Sequence, residues 1–85
     1  MTESTTWDCD RRLDLRGLAC PLPVLKTRKA LRMLPPGTRL AVEASDPLAA
    51  IDIPHFCREA GHRLLATERS AEGWAFLIER GPAPA

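Results

Sequence analysis

The sequence predicts an α/β fold: a two-layer sandwich of order βαβαββ, in which a four-stranded mixed sheet carries two helices on one face. Three observations predict it. Two stretches of helical period, residues 21–34 and 48–60, each open on a proline-bearing turn and end on a breaker, Pro35-Pro36-Gly37 and Gly61. Runs that alternate polar and apolar residues precede and separate them at 12–16 and 39–44, the pattern of half-buried strands. Two more runs, 63–68 and 74–79, flank the short loop Ser70-Ala71-Glu72-Gly73, which makes them an antiparallel hairpin. The two helical crossovers make the first three strands parallel, and the hairpin turns the fourth around. Both helices then cover one face of the sheet.

Each element follows from its residues. In the first strand Leu13 and Leu15 point one way, and Gly17 ends it. The first helix gathers Val24, Thr27, Ala30, Leu31 and Leu34 on the side that packs on the sheet. The second strand alternates Leu40, Val42 and Ala44. Asp46-Pro47 places an acid at a helix N-cap and a proline at the first helical position. Asp52 and Pro54 interrupt the helical run after it, so the second helix is expected to be kinked or in two parts. In it Cys57 lies with Ile53 and Phe56 as a small core residue, and His55 is a surface residue. Residues 1–10 form a polar, flexible arm in which Trp7 is the exception and Cys9 an incidental thiol. Residues 11–81 form a single domain, and 82–85 a disordered Pro/Ala tail.

Composition excludes several classes of function. Eighty-five residues allow one domain with one core. A net charge of +1 excludes whole-chain charge as a driver of nucleic-acid or membrane binding, and 5% aromatics without a tyrosine offer few platforms for base stacking. Cys9, Cys20 and Cys57 make neither a disulfide framework nor a CxxC pair, which fits a reducing compartment. Joined to His55 and His62 they do not give the close ligand pairs of structural zinc, so no metal and no cofactor are expected. No apolar run approaches the ~20 residues of a membrane span, and the amino end lacks the basic and apolar regions of a signal peptide. The expected location is the cytoplasm.

The chemistry concentrates in Gly17-Leu18-Ala19-Cys20-Pro21-Leu22-Pro23-Val24-Leu25. Proline disfavours the helical region for the residue before it, so Pro21 pushes Cys20 into the extended state of an N-cap residue. Pro21 and Pro23 then occupy the first and third helical positions, where a missing N–H costs nothing. Gly17, Pro21 and Pro23 are thus thiol-positioning residues. The N–H groups of Leu22 and Val24 stay free, and with the helix dipole and the cations Arg16, Lys26, Arg28, Lys29 and Arg32 they are expected to lower the thiol pKa. The competing reading is a small buried apolar residue at a helix start. The outer side of the helix interleaves Leu22, Leu25 and Met33 with Lys26, Lys29 and Arg32 and carries no acid, which suggests a docking face for an acidic partner.

The run from Leu13 through Cys20-Pro21-Leu22-Pro23 to Leu31 resembles the signature of the TusA/SirA family of small sulfur carriers, whose mark is Cys-Pro-x-Pro after a first strand. Asp46-Pro47 followed by Asp52-Ile53-Pro54-His55-Phe56-Cys57 is similar to the family's second-helix pattern, and Phe76-Leu77-Ile78 closes the domain similarly. The resemblance implies a sulfurtransferase that accepts persulfide sulfur on Cys20 from a cysteine desulfurase or a rhodanese and relays it to an acceptor protein. The destination it implies is tRNA 2-thiouridine, dissimilatory sulfur metabolism or a molybdenum cofactor enzyme. Leu22, Leu25, Lys26, Arg28, Lys29, Arg32, Asp46 and Pro47 are the expected partner-binding residues of a carrier that is monomeric when free. No general base, metal site or phosphate loop is visible in the sequence, so a stoichiometric carrier is expected in place of a free-standing catalyst. Two readings from other classes stand beside it: an RNA-binding module, suggested by the helix cations, and a redox-sensing interaction domain built on the same thiol.

Overall fold

The computed structural model describes residues 7–82; the parts of the expected arm and tail at 1–6 and 83–85 lie outside the described residues. Strand β1 (Arg11–Leu15) pairs in parallel with β2 (Arg39–Ala44), setting Leu13 opposite Val42 and Leu15 opposite Ala44. The first strand is shifted by one residue from 12–16, which leaves Arg16 beyond its end. Strands β3 (Arg63–Ser70) and β4 (Gly73–Glu79) form the hairpin, and β4 also pairs antiparallel with β2, giving the order β1-β2-β4-β3. The sheet is mixed, as expected. Composition explains which hairpin strand goes inside. Ala75, Phe76, Leu77 and Ile78 are all buried, as a strand with neighbours on both sides requires, whereas β3 carries Arg63, Glu68 and Arg69 on an exposed edge.

The hairpin is longer than the sequence suggests, with Ser70 paired to Gly73 across Ala71-Glu72. Gly73 has φ +135°, and a Cβ there would overlap the carbonyl oxygen of Ala44. The turn thus packs directly against the end of β2, a contact only glycine permits.

Helix α1 (Leu22–Arg32) is shorter at both ends than 21–34. It buries Pro23, Thr27, Ala30 and Leu31, with Val24 and Leu34 half-buried against the core. Helix α2 (Ala49–Ala60) is a single element running through Pro54, not two parts. Pro54 forfeits the bond to the Ala50 carbonyl, but Ala49, Ile53, Phe56 and Cys57 are buried on either side of it, and this shared apolar face holds the helix together. Gly61 closes it in the left-handed conformation, φ +83°, with the His62 N–H donating to the Cys57 carbonyl at 2.9 Å. Leu31 and Ile53 from the two helices enter one core with Leu40, Val42, Phe76 and Ile78 of the sheet, so both helices cover the same face.

Cys57 is buried in that core, where desolvation pushes its thiol up to about 11. His62 is also buried, its ring 5.6 Å from that of Phe56. Before β1, Asp10 exchanges bonds with Arg39, N–H to carbonyl at 2.9 Å and Oδ2 to the Arg39 N–H at 2.9 Å, and Arg12 donates to the Trp7 carbonyl at 3.0 Å.

Candidate functional site

Cys20 sits at the end of the sheet where β1 and β2 finish, in the loop that leads from β1 into α1. That loop is held from the side by the segment after β2. Gly17, with φ +89°, donates its N–H to Ser45 Oγ at 2.8 Å, and the Cys20 N–H donates to Asp46 Oδ2 at 2.6 Å. Asp46 Oδ1 meanwhile accepts the Leu48 N–H at 3.0 Å, and its carbonyl accepts from Ala49 at 2.9 Å. The N-cap of α2 is Leu48, not Asp46; the turn that Asp46 organises precedes the helix. One carboxylate therefore ties the thiol loop to the entrance of the second helix.

The expected cap geometry at α1 is corrected. Its N-cap is Pro21, with φ −98° and ψ 15°, and no side chain caps it. Cys20 lies one residue before the cap, and the Cys20-Pro21 peptide is cis. The reason is a turn. Leu22 donates its N–H to the Ala19 carbonyl at 2.9 Å, so helical bonding begins only with Leu25 donating to the Pro21 carbonyl at 3.1 Å. The Leu22 N–H expected to be free is thus taken, and the prolines stand at the cap and the second helical position. Cys20 is exposed, which removes the reading of a small buried residue at a helix start.

The electrostatics at the sulfur are also the reverse of the expectation. Cys20 Sγ donates a hydrogen bond to Asp52 Oδ2 at 3.2 Å, in the first turn of α2. That bond, with desolvation and the charges of Asp52 and Asp46, raises the thiol pKa above its ordinary value. The cations act elsewhere. Arg16 pairs with Asp14 at 2.9 Å, Glu72 at 3.0 Å and Glu43 at 3.6 Å, and its hydrogen bonds hold the Asp14 carboxyl down to about 2. Arg28 lies over the Phe56 ring, 5.5 Å from its centroid. Lys26, Lys29 and Arg32 are exposed on α1 together with Leu22 and Leu25, and Pro47 is exposed beside Asp46.

Pro21 at the cap of the first helix, with Val24 and Arg28 in it, faces Asp52, His55 and Phe56 of the second across a groove that reaches the thiol's hydrogen-bond partner. Leu48 and Ile51, 50% and 67% exposed, add large apolar surface to the start of α2. Sequence reasoning missed these two and the role of Asp52. An acid in a first helical turn is ordinary dipole chemistry, and only the meeting of the two helix entrances reveals its partner.

Cys9 and Cys20 lie beyond opposite ends of β1, and Cys57 is in the core, so no second thiol stands beside Cys20. Among the described residues no group of three or more His, Cys, Asp or Glu side chains is placed to hold a metal ion, and no helix is long and apolar enough to cross a membrane. The site is an exposed thiol on a loop fixed from two directions, with a carboxylate as its hydrogen-bond acceptor. A family model described as sulfurtransferase TusA matches residues 11–80.

Proposed function

Because the chain belongs to the TusA sulfurtransferase family, we propose that Cys20 is the residue on which it carries sulfur, as a persulfide received from one protein and handed to another. What supports this reading most is one observation: Cys20 is exposed while its backbone N–H is fixed to Asp46 Oδ2 at 2.6 Å. A carrier has to present its sulfur inside a partner's active site, so it needs an accessible thiol with a defined aim. Gly17, Pro21 and Pro23 serve that aim: Gly17 through its bond to Ser45, Pro21 as the helix cap, and Pro23 as a buried anchor.

In the loading step the Cys20 sulfur attacks the outer sulfur of a donor persulfide. The donor's S–S bond breaks as the new one forms, and the proton from Cys20 ends on the departing donor thiolate. The transferred sulfur keeps its oxidation state, so no oxidant or reductant is consumed. Discharge to the acceptor is the same exchange in the other direction. The burial of Cys57 and the position of Cys9 beyond the other end of β1 matter, because a neighbouring thiol would resolve the persulfide into a disulfide.

The donor in this reading is a cysteine desulfurase or a rhodanese, and the acceptor a sulfur-relay protein leading to tRNA 2-thiouridine or to dissimilatory sulfur metabolism in the cytoplasm. Docking uses the exposed side of α1, Leu22, Leu25, Lys26, Arg28, Lys29 and Arg32, with Asp46 and Pro47 at its edge. Incubation with a desulfurase and cysteine, followed by intact-mass measurement and peptide mapping, tests the proposal. The expected result is one added sulfur atom on Cys20, abolished in Cys20→Ser with an unchanged circular dichroism spectrum. Sulfur found on Cys9 or Cys57, or retained in Cys20→Ser, overturns it.

A further inference from the structure

We infer that Asp52 is a positioning residue for the thiol: its Oδ2 holds Cys20 Sγ together with its proton, so that the unloaded protein keeps the sulfur parked and protonated until a partner releases it. Two rigid frameworks meet at this contact. Asp52 stands in the first turn of α2 between Ala49 and Ile53, both buried in the core, so its carboxylate has a fixed origin. The backbone of Cys20 is fixed independently by Asp46. In the contact at 3.2 Å the Cys20 thiol is the donor and Asp52 Oδ2 the acceptor.

The carboxylates of Asp52 and Asp46 act on the thiol in the same direction. The segment before α2 contributes Asp46; α2 contributes Asp52, and farther along the groove His55 and Glu59; α1 contributes Arg28, engaged on the Phe56 ring. The two charged groups that act on the thiol are both carboxylates. A thiolate there would face both of them, and the upward shift of the Cys20 pKa comes first from the hydrogen bond to Asp52, then from desolvation and the charges of Asp52 and Asp46. Once loaded, Sγ bears a sulfur atom where it had a proton, and the bond it donated to Asp52 no longer exists. Asp52 therefore distinguishes the empty carrier from the charged one.

This inference deepens the carrier reading and rests on Cys20 being the sulfur-accepting residue, but its decisive test needs no sulfur donor. The rate of Cys20 alkylation by iodoacetamide, followed by peptide mapping in the full chain, is measured against pH for wild type, Asp52→Asn and the remote control Glu68→Gln. The wild-type midpoint should lie above the ~8.5 of a free cysteine. Asp52→Asn should move it down and raise the rate at neutral pH by about threefold or more, since a midpoint lower by about half a pH unit already raises the thiolate fraction about threefold there. Glu68→Gln should follow wild type. A wild-type midpoint at or below that of a free cysteine, or an Asp52→Asn profile that coincides with wild type or moves upward, overturns the inference; if Asp52→Asn fails to fold, the wild-type midpoint decides alone. A wild type that alkylates as described but takes up no sulfur on Cys20 overturns the carrier reading instead.

Discussion

The Cys20 N–H and the Asp46 carboxylate meet at 2.6 Å across 26 residues of chain, and the other oxygen of the same carboxylate takes the Leu48 N–H at 3.0 Å. Asp46 is the joint between the thiol loop and α2. Asp46→Ala deletes both bonds, at a cost of about 0.5–2 kcal/mol, the range for losing a cap-like acceptor. The two reactions of the sulfur should then separate. Loading by a donor should slow, because the aim of the loop is lost, while iodoacetamide alkylation should hold or quicken, because an anion next to the thiol is gone. Denaturant unfolding and the two rates measured side by side check this. Equal slowing of both rates would mean that Asp46 governs exposure and not aim.

His62 makes stability depend on pH. Its Nδ1 accepts the Gly81 N–H at 2.9 Å, so that nitrogen carries no proton, and burial followed by the charge of Arg80 lowers its pKa from 6.5. The folded protein thus holds the second imidazole proton more weakly than the unfolded chain does. Above 6.5 the full stability is present; as pH falls from there toward the folded midpoint the unfolded state binds the extra proton and stability declines, by at most about 1.4 kcal/mol per pH unit. Urea unfolding at a series of pH values should show this decline, and His62→Gln should flatten it. An equal slope in the variant would assign the decline to other groups.

How much of the fold and the site is legible in the sequence depends on how far apart the interacting residues lie. The 39–44 strand agrees at both ends because alternation and a preceding breaker are local signals. Gly61 and the burial of Cys57 follow from a cap residue and helical spacing in the same way. The start of α1 differs by a residue because the turn from Leu22 to Ala19 is a hydrogen bond that residue types do not announce. The direction of the pKa shift at Cys20 is hidden for a larger reason. Lys26, Arg28 and Lys29 stand close to it in sequence and suggest a thiolate, whereas the carboxylates that control it arrive from 26 and 32 residues away. Local signals place the thiol before a helix, and tertiary contacts give it its aim and the direction of its pKa shift.

In the proposed reading the cations of α1 bear on docking instead. Lys26 and Lys29 are exposed on a helix without an acidic residue, flanked by Leu22 and Leu25, 42% and 47% exposed. Arg28 is the wrong position to alter, since its guanidinium covers the Phe56 ring. Reversing Lys26 and Lys29 to Glu should leave the fold intact, with up to about 1 kcal/mol lost where Lys29 faces the negative end of the helix dipole. Alkylation of Cys20 should stay within about twofold of wild type, the two sites being at the surface and screened within a Debye length of ~8 Å at physiological salt. Sulfur loading by a donor should weaken several-fold, and loading of the wild type should itself slow as salt rises, because a charged docking face acts through steering. Single-turnover loading at low and high salt, for both proteins, provides the measurement. Loading indifferent to both the reversal and the salt would mean that the donor approaches Cys20 without using this face of α1.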